Sequence, residues 1–98
     1  MTARKTEPAP SAVCFTYLLR CSDGSYYCGW TPDLKKRLSA HSSGVGSKYT
    51  RSRLPVVLVW YESFPTQHLA MRRECEIKRL THAQKDALVQ SHSCPQQG

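Results

Sequence analysis

The chain has 98 residues, 40% of them hydrophobic, and a formal net charge of +7. That is enough apolar material for one compact domain but not two, so an active site has to sit at the edge of a modest core. The charge favours a polyanionic partner, nucleic acid ahead of an anionic membrane surface, and the sequence holds no apolar run long enough to span a membrane.

Residues 1–12, MTARKTEPAPSA, carry positive charge without the apolar segment of a signal peptide, and read as a disordered leader on a cytoplasmic protein. The five cysteines, Cys14, Cys21, Cys28, Cys75 and Cys94, contain no Cys-x-x-Cys pair or zinc spacing. The first four are expected to be small buried hydrophobes and Cys94 an exposed thiol in the tail.

From Val13 to Trp30 two apolar, aromatic-rich arms flank Ser22-Asp23-Gly24, which predicts a β-hairpin. A two-residue loop would put Tyr17 and Tyr27 on opposite faces. A three-residue loop closed by a left-handed glycine pairs Tyr17 with Gly29 and Leu19 with Tyr27, and is preferred. Both phenols then share a face, and Gly29 leaves the space opposite Tyr17 open to a substrate. Ordinary strand tyrosines beside a bulge glycine remain the alternative.

Thr31-Pro32-Asp33-Leu34 predicts a helix start, with Thr31 as N-cap and Pro32 at the first turn, running to about His41. Leu34 and Leu38 would form its buried stripe, Arg37 and His41 would flank it, and Lys35 and Lys36 would face outward. A solvated helix edge accounts for Arg37 and His41 equally well.

Residues 42–55 read as a Gly/Ser-rich loop that turns basic, with Lys48, Arg51 and Arg53 around Tyr49. Six Lys or Arg and no acid fall between Lys35 and Arg53. Cations with an interleaved ring suit a nucleic-acid groove, although a loop charged for solubility would look the same. Val56–Phe64 reads as a third strand, apolar on both faces at first, and so placed inside the sheet or covered on both sides.

A second helix is expected from about Thr66 to Arg79. Ala70, Met71, Cys75 and Ile77 would share its apolar face, with Glu74 near the middle and Glu76 turned away. A buried carboxylate needs a cation, strong donors or a metal, and a salt bridge to Arg20 or Arg37 would meet that need. Thr81-His82-Ala83-Gln84 is a capping box for a third helix to about Gln90 with Ala83, Ala87 and Leu88 inward, and residues 91–98 read as a frayed tail. The expected domain spans residues 13–90. Its class is α+β, a small three-stranded antiparallel sheet flanked by helices in the order β-β-α-β-α-α.

The pattern over about Val13 to Val89 resembles the GIY-YIG nuclease domain, especially its small stand-alone bacterial members. Phe15-Thr16-Tyr17 stands for Gly-Ile-Tyr and Tyr27-Cys28-Gly29 for Tyr-Ile-Gly. Arg37 and His41 in DLKKRLSAH resemble the helix arginine and its polar neighbour, KYTR the basic loop, and Glu74 in AMRRECEIK the metal-binding glutamate. Phe15, Thr16 and Cys28 depart from the tripeptides at positions that shape strand packing.

The resemblance implies a nuclease that hydrolyses DNA phosphodiesters, single-stranded or branched, with little sequence readout. It implies one Mg²⁺ or Mn²⁺ anchored by Glu74 and a scissile phosphate held by Arg37. Tyr17 would be the general base, Tyr27 would orient the water or a phosphate oxygen, and His41 would relay a proton or contact phosphate. A phenol titrates near about 10, and Arg37, the metal and the basic field are expected to lower that value. Gly29, Lys36, Lys48, Tyr49, Arg51 and Arg53 would line the nucleic-acid path, with DNA preferred to RNA and no membrane involved. A non-catalytic nucleic-acid-binding module or an accessory protein is the alternative.

Overall fold

Residues 14–20 and 26–31 pair as an antiparallel hairpin, β1 (Cys14–Arg20) and β2 (Tyr26–Thr31), in a computed structural model that describes residues 13–91. The expected leader at 1–12, and Cys94 with the rest of 92–98, lie outside the described residues. Tyr17 pairs with Gly29 and Leu19 with Tyr27, the register of the three-residue loop. Gly24 closes the turn at φ +85°, its N–H donates to the Cys21 carbonyl, and Asp23 accepts the Ser25 N–H.

Helix α1 (Leu34–Ser42) starts two residues later than the sequence suggests. Thr31 is held in the sheet opposite Phe15, so the cap falls to Asp33, whose carboxylate accepts the Lys36 N–H at 3.0 Å. The basic loop is not wholly irregular. Ser47 caps a single turn, α2 (Lys48–Arg51), by accepting the Thr50 N–H.

Strand β3 (Val57–Phe64) pairs antiparallel with β1, giving the order β2-β1-β3. It is therefore an edge strand and not the two-sided interior strand that its apolar run suggests. Leu18 faces Trp60 and Leu19 faces Leu58, so Val59 is an extra residue at a bulge. The bulge lets the neighbours Val59 and Trp60 both reach the core, while Val57 is 58% exposed.

Thr66 caps α3 (Gln67–Lys78) by accepting the Leu69 N–H. The buried residues of α3 are Ala70 and Ile77, while Met71 and Cys75 are exposed. Measured from Ala70 at 3.6 residues per turn, Met71 and Cys75 fall about 100° and 140° round the helix, whereas Glu74 falls about 40° away. The inward face is thus centred between Ala70 and Ile77, about 20° apart, with Glu74 on its flank, and of the described cysteines only Cys14, Cys21 and Cys28 are buried.

Thr81 and Gln84 exchange hydrogen bonds as a capping box at the start of α4 (His82–Ser91), which takes in Ser91 from the expected tail. Ala83 and Ala87 are exposed, and Leu88 with Val89 packs on the core instead. Tyr26 donates to Asp86 and accepts from Arg20, and His82 sits 3.0 Å from the Gly24 carbonyl, so α4 is fastened to the hairpin by polar contacts as well.

Leu18, Tyr26, Cys28, Trp60 and Ile77 form the core on the sheet face covered by α3 and α4. The other face carries Phe15, Tyr17 and Tyr61 towards α1 and α2. Among the described residues no helix is long and apolar enough to cross a membrane.

Candidate active site

Alternation along β1 sends Tyr17 to the face opposite the core, where its ring folds over the backbone of Gly29. A Cβ at Gly29 would lie 2.6 Å from the Tyr17 hydroxyl oxygen and 2.8 Å from Cζ, so only glycine fits beneath this phenol. The gap at Gly29 is therefore filled by Tyr17 itself and is not the open approach that the sequence suggests. Tyr17 is 2% exposed.

Its hydroxyl lies 3.0 Å from His41 Nε2, and His41 Nδ1 lies 2.8 Å from Thr50 Oγ1. Thr50 Oγ1 is also within 3.0 Å of Ser47 Oγ and donates to the Ser47 carbonyl at 3.4 Å. A Thr50 hydroxyl that donates to Ser47 leaves a lone pair for His41 Nδ1–H, and His41 Nε2 is then an acceptor for Tyr17. His41 and Thr50 are fully buried, and Gly46 packs so closely that a Cβ there would lie 2.3 Å from His41 Nδ1. His41 is thus the buried residue of α1, while Leu34 and Leu38 only half-cover a groove of about 480 Å³ beside Phe15 and Tyr61.

Burial, then the neighbouring Tyr27, pushes the Tyr17 pKa well above the ordinary phenol value, and the nearby Arg37 only partly offsets this. Arg37 alone does not bring the expected lowering, because removing a phenolate from water costs more than one half-buried guanidinium returns. Burial, then Arg37, holds the His41 pKa below 6.5, so its imidazole is neutral at pH 7.

Tyr27 packs against this pair, its ring centroid 6.5 Å from Tyr17 and 5.2 Å from His41. Tyr49 stacks on Tyr27 at 5.9 Å, and the Arg53 guanidinium lies 3.8 Å over the Tyr49 ring. Arg53 Nε also donates to Asp23 at 3.1 Å, which ties the basic segment to the hairpin turn. Arg37 lines a second groove of about 400 Å³ with Lys36 and Thr31, and has no carboxylate partner among the described residues.

Glu74 lies on α3, which packs across β2 and β1. The Cys28 thiol is 4.0 Å from the Glu74 carbonyl, and the Glu74 charge is felt at both the Cys28 thiol and the Tyr17 phenol. Burial, then Glu74, pushes Cys28 up to about 12, leaving it an inert thiol. The Glu74 carboxylate, 19% exposed, pairs with Lys78 at 3.2 Å and not with Arg20 or Arg37. Arg20 is turned to Tyr26 and Asp86.

One partly exposed carboxylate suits a cation such as Mg²⁺, which keeps most of its hydration. Among the described residues no group of three or more His, Cys, Asp or Glu could enclose a metal, so a fully protein-ligated ion does not fit, whereas a largely hydrated one does.

The family described as the GIY-YIG catalytic domain matches residues 13–87, the span that contains every one of these side chains. The chain belongs to the GIY-YIG family. Within it, this chain is 53% identical to a UPF0213 protein of Halobacterium salinarum over 72 residues, 74% of this chain and 94% of that one. It is 49% identical to a UPF0213 protein of Clostridium perfringens over 79 residues, 81% of this chain and 85% of the relative. The solution NMR structure of a UPF0213 protein from Bacillus halodurans superposes with a TM-score of 0.56 at 43% identity, covering 85% of this chain and 88% of that one.

On this GIY-YIG scaffold Tyr17, Tyr27 and His41 meet in direct ring contact, and the charges of Arg37 and Glu74 both act on Tyr17. Lys36, Lys48 and Arg51 are exposed and unpaired among the described residues, whereas Arg53 and the partly exposed Tyr49 are engaged with each other and with the hairpin. Sequence reasoning missed Thr50, Ser47, Gly46, Asp23 and Lys78. The Ser47-x-x-Thr50 spacing was a readable cap signal, and Lys78 stands four residues after Glu74, the spacing of a helical ion pair. Nothing local pointed to Gly46 or Asp23, whose partners are brought to them by the fold.

Proposed function

We propose that this chain is a cytoplasmic endonuclease that hydrolyses DNA phosphodiester bonds with one divalent cation, Mg²⁺ or Mn²⁺, held at Glu74. The GIY-YIG superfamily is a nuclease superfamily, and its domain implies nucleic-acid binding. The observation that carries the reading is the buried hydrogen-bonded chain Tyr17–His41–Thr50 under Tyr27, with Arg37 beside it.

A phenol with a raised pKa is a poor base unless its own proton has somewhere to go. Neutral His41 supplies that place: Tyr17 gives its proton to His41 Nε2 as it takes one from the attacking water, and no free phenolate has to form. Thr50 fixes the imidazole in the accepting tautomer. Tyr27 orients the water or a phosphate oxygen, and Arg37, unpaired, holds the scissile phosphate through two parallel hydrogen bonds. A cation at Glu74, when bound, stabilises charge on the departing 3′-oxygen.

Lys36, Lys48 and Arg51 are exposed cations suited to phosphates, and in this reading the substrate is single-stranded or branched DNA bound with little sequence readout. A non-catalytic nucleic-acid binder is the second reading, and the near-complete burial of Tyr17 favours it.

Incubation of wild type and Glu74→Ala with labelled single-stranded, duplex and branched DNA and with RNA, with Mg²⁺ or with chelator, separates the two. Cleavage by wild type that chelator and the substitution both remove is the expected outcome. Salt-sensitive binding with no turnover in either protein would establish the binder.

A further inference from the structure

Glu74 has one cationic partner among the described residues, the Lys78 ammonium at 3.2 Å. The nearby Arg73 does not compete, because it is held by Glu62 at 3.2 Å and Glu76 at 3.1 Å. The two partners differ in exposure, the Glu74 side chain at 19% and that of Lys78 at 58%, so the ammonium covers the carboxylate from the solvent side. Both sit on the same face of the last turns of α3, which packs on the strand that carries Tyr27.

We propose that Lys78 is the resident counter-ion of Glu74 and gates it: the ammonium holds the carboxylate until a divalent cation displaces it, and the freed lysine then pairs with a nucleic-acid phosphate. This rests on the reading of Glu74 as the cation-binding residue. Two cations competing for one carboxylate bind it with negative coupling. A phosphate that draws the ammonium away removes that competition, so nucleic acid raises cation affinity and the cation raises nucleic-acid affinity by the same factor. Lysine suits the task. It is a single point charge on a flexible stem in a solvent-facing pair, easily exchanged, whereas a bidentate arginine would hold on. Lys78 is a gating residue and takes no part in bond breaking.

The test is a Mn²⁺ titration of the full chain, followed by the electron paramagnetic resonance signal of free Mn²⁺. Wild type, Lys78→Met, Lys78→Gln, Arg79→Met and Glu74→Gln are compared, each checked for fold by circular dichroism. Arg79 is exposed and forms no ion pair among the described residues, so its loss removes the same charge from the same helix without touching Glu74. Both Lys78 variants should bind Mn²⁺ about two- to fivefold more tightly than wild type, and Arg79→Met by a smaller factor.

Oligonucleotide binding by fluorescence anisotropy should gain more from Mn²⁺ in wild type than in either Lys78 variant. Equal Mn²⁺ affinity in wild type, both Lys78 variants and Arg79→Met overturns the gate while leaving Glu74 as the ligand. Undiminished Mn²⁺ binding by Glu74→Gln overturns the reading of Glu74 itself, and the gate with it.

Discussion

Tyr17 and Gly29 behave as one unit, since the phenol occupies the volume that any side chain at Gly29 would need. Gly29→Ala should therefore displace the Tyr17 ring. Urea unfolding should show a loss of about 1–3 kcal/mol, and cleavage should fall by more than that loss explains. Tyr17→Phe keeps the ring and removes the proton path. It should lower cleavage by about 10²-fold or more while the urea midpoint and oligonucleotide affinity stay near wild type, and a fully active variant would remove Tyr17 from the mechanism. His41 gives a pH signature. Because burial, then Arg37, holds its pKa below 6.5, the unfolded chain takes up this proton at higher pH than the folded one. Stability from this site is complete above about pH 6.5 and is lost as pH falls from there towards the folded-state value, so urea midpoints should drop with acidification and His41→Gln should blunt the drop. The acid limb of the cleavage profile should likewise lie below pH 6.5, where His41 can no longer accept a proton. Much of this site was legible in the sequence, because a strand fixes which phenols share a face and a helix fixes that His41 follows Arg37 by one turn. The direction of the Tyr17 pKa was not, since it depends on burial by groups remote in sequence, and neither was the packing of Gly46 on His41.

The hairpin, α3 and α4 begin where their turn and cap residues say they should, because those signals are local. Faces were harder to read. On α3 the apolar character of Met71 and Cys75 pulled the expected stripe round until Glu74 stood at its middle, yet the buried residues are Ala70 and Ile77, and Glu74 lies on the flank of that face. On β3 the apolar run reflects a bulge opposite Leu18 and Leu19 and not burial on both sides, and a bulge leaves no mark in a sequence of valines. The α4 cap offers a clean test at this scale. Thr81→Ala removes the acceptor of the Gln84 N–H and should cost about 1 kcal/mol by thermal or urea unfolding, with little change in cleavage because α4 lies on the core face, away from His41.

Over the whole molecule, the formal charge of +7 does not say which cations a ligand can reach, because some are tied to acids and others stand free. Arg53 is tied to Asp23 and covers Tyr49, whereas Lys48 and Arg51 are exposed and unpaired among the described residues. Replacing Lys48 or Arg51 with Ala should flatten the dependence of log affinity on log salt by about 0.7 for a single strand, measured by fluorescence anisotropy. Arg53→Ala should leave that slope nearly unchanged and lower the unfolding midpoint instead. One further consequence follows from the central place of β1, which is bonded to β2 on one side and β3 on the other. In deuterated solvent the backbone amides of this strand should be the last to exchange, doing so only when the entire sheet comes apart. Those of residues 43–53, held by local turns and a single helical turn, should take up label through far smaller openings. The residue proposed to take the first proton would then be mounted on the slowest part of the molecule and the cap over its histidine on one of the fastest, so mass-spectrometric labelling could watch the relay being made and unmade while the sheet beneath it stays closed.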